Sequence, residues 1–160
     1  MSDPTTALTF VALLGTALAA GVFFAFSSFV MQGLDDAPDP AGLLAMQGIN
    51  RMAPTPLFMT ALFGAALLCL ALAALALANF EHTPHRFALA GALLYLVGTI
   101  GVTMRCNVPL NKALDGVAAD GPEAGSAWRH YRTAWQRWNH LRSASSTAAT
   151  AALAAALLTA

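Results

Sequence analysis

The chain has 160 residues, of which 58% are hydrophobic and only 10% are charged. A soluble globular domain usually carries about 25% charged residues, so this composition indicates a protein of the lipid bilayer. Eight Lys and Arg residues balance eight Asp and Glu residues, and a net charge of zero gives no reason to expect a nucleic-acid partner.

Four stretches of the chain are apolar enough to cross a membrane as helices. They cover residues 7–31, 55–79, 86–106 and 141–160. Each is close to the about 20 residues that a helix needs to span the hydrocarbon core, and none contains an Asp or Glu. The sequence therefore predicts an all-α fold, in which residues 1–160 form a single domain built as an integral membrane four-helix bundle.

The segments between these spans contain helix starts and stops. After the first span, Ala41–Met52 is predicted to form a short surface helix, and Pro54 and Pro56 suit the entry to the second span. Pro109 has no backbone N–H and disfavours helix at the residue before it, so the third helix is predicted to end at Asn107–Pro109. The fourth helix is predicted to be long, because a polar run continues without a break into the apolar tail.

Basic residues are distributed unequally between the two ends of the predicted bundle. The first connection, the third connection and their flanks hold most of them: Arg51, Arg105, Lys112, Arg129, Arg132, Arg137 and Arg142. The other end holds Arg86 alone, so the positive-inside rule makes loops 1 and 3 cytoplasmic and both termini extracytoplasmic. Met1–Pro4 carries no Lys or Arg, and the first span is expected to be retained rather than cleaved as a signal peptide. We expect a location in the bacterial inner (plasma) membrane.

The run 128–142 is the most informative part of the chain. As one helix turning about 100° per residue, it places six side chains within one sector: Trp128, Tyr131, Trp135, Trp138, Asn139 and Arg142. Aromatic walls with a few fixed polar groups suit a flat organic molecule. The same aromatics would also suit an interfacial belt at the membrane surface, and the sequence leaves both interpretations open.

Further polar residues are expected at the same end of the molecule. Gln47 and Asn50 precede the second span, and Asn107 and Asn111 follow the third. A charged group inside a membrane helix usually faces the bundle interior and has a partner. Arg142 is therefore predicted to bond to Asn107, to Asn111 or to a backbone carbonyl near Arg105.

The same residues predict a catalytic site. Arg142, Asn139 and an Asn at the end of the third helix would form a clamp for an oxyanion. The predicted substrate-binding residues are Trp128, Tyr131, Trp135, Trp138, Gln47 and Asn50. His140 titrates near neutrality and is a candidate base, although the helical wheel turns it about 120° from the aromatic stripe.

Three blocks of sequence resemble a known family. Residues 46–51 (MQGINR), 107–114 (NVPLNKAL) and 135–142 (WQRWNHLR) resemble the recurring blocks of the DUF1772 family, which is grouped with the anthrone oxygenases. The resemblance covers nearly the whole chain in length, helix count and block order. It implies a small four-helix membrane protein and an oxygenase that oxidises a lipophilic polycyclic phenolic substrate, an anthrone, with O2 and without a cofactor.

The residues themselves predict no metal or cofactor site. His82 and His85 lie in a proline-containing loop, and His130 and His140 are about 15 Å apart along a helix, too far to share one metal. Cys69 and Cys106 are expected to be small packing residues. The predicted partners are the bilayer, a lipophilic aromatic small molecule and further copies of the chain in a homo-oligomer.

A second class of function stays open. The chain is also compatible with a non-enzymatic membrane scaffold, an accessory subunit or a lipid- or quinone-binding protein. A cavity beside Trp135 would favour the enzyme, whereas aromatic side chains packed solid or facing lipid would favour the scaffold.

Overall fold

The computed structural model describes residues 3–160, and every regular element in that part of the chain is helical. Helix α1 (Asp3–Ala25) continues through a π-helical turn (Phe26–Val30) into α2 (Met31–Asp36). The surface helix α3 (Ala41–Met52) follows, with the predicted bounds. Helix α4 (Pro56–Ala78) begins where expected, because Thr55 caps it by accepting the Phe58 N–H and Pro56 occupies its first turn.

The second half of the chain forms two further long helical stretches. Helix α5 (Thr83–Leu93) continues through two π-helical segments (Leu94–Gly101 and Thr103–Asn107) into α6 (Val108–Asp115). After a loop, α7 (Ala124–Leu158) runs without interruption. This confirms that the polar run 128–142 and the apolar tail form one long helix.

Pro109 does not end the third helix, contrary to the sequence-based prediction. Helix continues to Asp115 because the preceding turn is π-helical, and the Val108 N–H bonds to the Thr103 carbonyl. The widened π turn makes room for the proline ring. Pro109 then lies in the first turn of α6, where a missing N–H has little cost.

Four helices contact one another in a ring. Helix α1 packs against α4 and α7, and α5 packs against the same two helices. Their shared core combines small residues with a few aromatics: Ala19, Phe23, Leu62, Ala65, Cys69, Ala92, Tyr95 and Ala149. Small residues let the backbones approach closely in lipid, and the Tyr95 hydroxyl donates to the Leu62 carbonyl (3.1 Å). Cys69 is fully buried, in agreement with a packing role.

Three helical stretches among the described residues are long and apolar enough to cross a membrane: Pro4–Asp36, Pro56–Ala78 and Thr83–Asp115. They correspond to the first three predicted spans and fit an integral membrane protein. The fourth predicted span, 141–160, is not among them. Arg142 and several Ser and Thr residues lower the hydropathy of α7 there.

Candidate functional site

A cavity of about 380 Å³ lies at the Pro56 end of α4, away from the turn that joins α4 to α5. Its volume falls in the range of small-molecule sites, about 300–1,000 Å³. Most of its wall is apolar: Val22, Phe23, Phe26, Met46, Ile49, Phe58, Met59, Leu62, Phe63, Met104, Val108 and Trp135. Polar groups reach it from α3, the Thr103–Asn107 segment, α6 and α7. The first and third connections thus meet at one end of the molecule, as predicted.

Arg142 is a buried cation in this wall, with 5% of its surface exposed. Its guanidinium donates to Asn139 Oδ1 (2.8 Å) and to Thr103 Oγ1 (3.3 Å). It also lies over the Phe23 ring, 4.3 Å from the centroid, and 5.1 Å from the centroid of Trp135. These contacts are neutral or aromatic, and no carboxylate of the described chain lies within ion-pair distance.

The predicted partners of Arg142 were therefore wrong in detail. Neither Asn107 nor Asn111 bonds to it, and the contact with the third helix is made by Thr103 instead. The α5–α6 stretch continues past Asn107, so α7 does not meet a helix end there. The side chain of Thr103, one helical turn earlier, is the acceptor that α7 meets.

Asn139 holds Arg142 in place from behind the cavity wall. The Asn139 side chain is fully buried and does not line the cavity. Its Nδ2 donates to the Phe23 carbonyl (2.9 Å) and to Ser27 Oγ (2.8 Å). Asn139 thereby links α7 to the backbone of α1 just before the π-helical turn. Asn139 therefore positions the guanidinium rather than touching a ligand.

A second polar group in the wall is Asn111. Its Oδ1 accepts from Trp135 Nε1 and from the Tyr131 hydroxyl, both at 2.9 Å. The indole N–H can only donate, so the chemistry fixes which way the amide of Asn111 is turned. Asn50 Nδ2 extends the network to the Tyr131 hydroxyl (3.4 Å). Tyr131 lies outside the predicted fourth span, and burial raises the pKa of its hydroxyl, which keeps it protonated.

Three other predicted site residues support the site without lining the cavity. Trp128 is buried and stacks on Tyr131, with ring centroids 5.9 Å apart. Gln47 Nε2 donates to the Leu114 and Val117 carbonyls (2.9 Å each) and docks α3 on the end of α6. Asn107 Nδ2 donates to the Trp135 carbonyl (3.2 Å), while its buried Oδ1 has no partner within the described residues.

Trp138 and His140 are not brought to the site. Trp138 is 41% exposed and does not line the cavity, because it lies at the edge of the aromatic sector and the helix turns it outward. His140 is exposed on another face of α7. The helical wheel had already placed His140 away from the aromatic stripe. His140 does not line the cavity, as its predicted role as a base would require.

The cavity also has residues that the sequence did not single out. Phe23, Phe26 and Thr103 surround the guanidinium and the Trp135 ring, with Phe26 and Trp135 centroids 5.5 Å apart. At the exposed rim, Arg51 and Asp115 form an ion pair (2.9 Å) and Lys112 lies beside them in the lining. Ser27 lies in the π-helical turn after α1, where its Oγ accepts from Asn139.

Comparison with known proteins identifies the family. The model of the anthrone oxygenase family matches residues 57–152, which is more than half of the chain. The chain belongs to the anthrone oxygenase family. No curated protein and no solved structure matches it.

The part shared with the anthrone oxygenases contains α4, the α5–α6 stretch and most of α7. It therefore includes Thr103, Asn111, Trp135 and Arg142, which line the cavity. The α3 wall lies before the matched region. Among residues 3–160, no group of three His, Cys, Asp or Glu side chains is placed to hold a metal ion.

Proposed function

We propose that this member of the anthrone oxygenases is an integral membrane enzyme with a four-helix bundle fold that oxidises a lipophilic polycyclic phenol with O2. The observation that carries the proposal is Arg142, a buried cation without an acidic partner, in the wall of an otherwise apolar cavity. Burying an unpaired charge costs several kcal/mol. A ligand that brings a negative oxygen would supply the missing counter-charge.

The reaction follows from the acidity of such substrates. An anthrone loses a proton to give an electron-rich phenolate-type anion, and this anion can pass electrons to O2. The methylene carbon loses both of its hydrogens and gains one oxygen atom, and the second oxygen atom leaves in water with those hydrogens. Arg142, and the amide NH2 of Asn111, would stabilise the anion through hydrogen bonds in a site with little water.

The cavity wall would hold the ring system. Trp135, Phe23 and Phe26 supply aromatic faces around the guanidinium. Stabilisation of the anion speeds the reaction only if the anion is bound more tightly than the neutral substrate. On this proposal the substrate ionises before or during entry, and the chain provides no catalytic base at His140.

We place the cavity at the cytoplasmic face, on the basis of the positive-inside rule. The Lys and Arg residues of the first and third connections cluster at the same end as the cavity rim.

The test is turnover by the purified protein. Protein in mild detergent is incubated with anthrone, and quinone formation and O2 consumption are followed together. We expect one O2 consumed per quinone, a rate that rises with pH as the substrate ionises, and full activity in the presence of chelators. Arg142→Met should abolish turnover, whereas Arg137→Gln, an exposed cation on the same helix, should not.

Two results would contradict the proposal. Stoichiometric iron, copper, haem or flavin required for activity would replace the cofactor-free mechanism. Retention of a quinone or lipid with no turnover of any anthrone would favour a binding scaffold.

A further inference from the structure

Most of the charged groups that line the cavity are cations. Three cationic side chains, Arg51, Lys112 and Arg142, face one carboxylate, Asp115. Arg51 and Asp115 are paired with each other at 2.9 Å. Two positive charges therefore remain without an acidic partner in the described chain, one deep in the cavity and one at its rim.

Arg142 is the deep charge. It is 95% buried, its terminal nitrogens bond only to neutral oxygens, and its Nε has no partner in the part of the chain described here. Lys112 is the outer charge, and its side chain is exposed at the rim. Both side chains line the same cavity, together with Trp135 and Asn111.

One neutral polar group of the lining also offers a donor to a ligand. Asn111 uses its oxygen to accept from Trp135 and Tyr131, which leaves its NH2 group for a ligand. The Thr103 hydroxyl donates to the Thr99 carbonyl (2.7 Å) and accepts from Arg142, so it offers no spare proton. Asn50, the remaining neutral polar group of the lining, donates from Nδ2 to the Tyr131 hydroxyl, so its Oδ1 can accept from a ligand. The two unpaired cations and the Asn111 NH2 group favour a ligand with acceptor oxygens and negative charge.

We propose that the natural ligand is a polycyclic aromatic acid with two separated negative oxygens. A phenolate or enolate oxygen lies at Arg142 and Asn111, the ring system packs against Trp135, and a carboxylate or a similarly acidic group lies at Lys112. This inference rests on the proposed function for its ring oxygen, but adds a second charge at the rim. A phosphate from a lipid headgroup has the same charge and is the competing source.

Binding of two matched ligands tests the outer charge. Anthraquinone-2-carboxylate and neutral 2-methylanthraquinone differ at one substituent, and their binding is followed by quenching of tryptophan fluorescence in phosphatidylcholine nanodiscs. We expect Lys112→Met to weaken the carboxylate about fivefold, which is about 1 kcal/mol, and to leave the neutral quinone unchanged. Arg105→Gln, which removes an exposed cation outside the cavity lining, should change neither affinity.

Three outcomes would overturn the inference. If the parent protein binds the two ligands with equal affinity, the site does not recognise a second negative charge on the ligand. If Lys112→Met lowers the affinity for both ligands equally, Lys112 acts by packing and not by its charge. The third outcome concerns nanodiscs that contain phosphatidylglycerol. If this lipid weakens carboxylate binding by the parent protein but not by the Lys112→Met protein, Lys112 binds a lipid phosphate instead.

The inference and the proposed function can fail separately. Turnover of a neutral anthrone without any preference for the acid would refute only the inference. Fivefold tighter binding of the acid that depends on Lys112, without turnover of any anthrone, would support the inference and refute the oxygenase.

Discussion

Replacement of Arg142 by Met should separate stability from activity. The substitution removes a charge-assisted hydrogen bond to Asn139, about 1.5–3 kcal/mol, and cation–π contacts with two rings, up to about 2 kcal/mol each. It also removes the penalty for burying an unpaired cation, which is several kcal/mol. Because these contributions oppose each other, we expect the free energy of unfolding to stay within about 2 kcal/mol of the parent.

Activity should respond very differently to the same change. Loss of one oxyanion donor typically lowers kcat about 10²- to 10³-fold, and Arg142→Met should reach at least that loss. Arg142→Ala is the matched control for packing: it should lose the same activity, but unfold about 2–5 kcal/mol more easily than Arg142→Met because it leaves a void.

Chemical unfolding in detergent, followed by tryptophan fluorescence, and quinone formation measure the two effects on the same samples. Anthrone oxidation above a tenth of the parent rate in Arg142→Met would refute the oxyanion role. A drop of more than about 4 kcal/mol in the unfolding free energy of that variant would mean that Arg142 is mainly a structural residue.

Other changes at the site have distinct expected results. Asn111→Leu leaves two buried donors unpaired and should lower the unfolding free energy by about 2–4 kcal/mol. Asn111→Asp keeps an acceptor for both donors, so it should fold but should not bind an anionic ligand. Chemical unfolding measures the first effect and ligand titration the second. Gln47→Ala should speed amide exchange in Ala41–Met52, because two hydrogen bonds dock that helix, whereas Arg51→Gln removes only an exposed ion pair and should change stability by less than about 1 kcal/mol. His140→Ala and Trp138→Phe should keep parental turnover, because both side chains are exposed; a large loss in either would place them at the site.

The α7 part of the site could be predicted because that helix has a one-sided pattern. Its wheel placed Trp128, Tyr131, Trp135, Asn139 and Arg142 on one face, and all five are buried. Trp138 belonged to the same sector only at its edge, and the sector alone does not say how far burial extends. The pattern also indicated correctly that His140 points elsewhere.

The facing wall could not be predicted in the same way. Helices α1 and α4 are apolar on all sides, so periodicity does not indicate which face is internal. No pattern of polar residues in the sequence around Phe23 and Phe26 indicates that these side chains contact Arg142. The π-helical turn before Pro109 could not be predicted either, because a proline in a sequence indicates the end of a helix unless the hydrogen bonding of the preceding turn is known.

The π-helical segments have a consequence for how this site can vary among homologous sequences. A π turn holds one residue more than the α turn it replaces, so deletion of a single residue there restores the α turn without rotating the helix on either side. Such a deletion in Thr103–Asn107 would change the side chains that this turn presents, including Thr103 beside the guanidinium, while α5, Val108 and Asn111 keep their places. Single-residue insertions and deletions, more than substitutions, are therefore the changes expected to separate members that share this cavity from members that share only its scaffold.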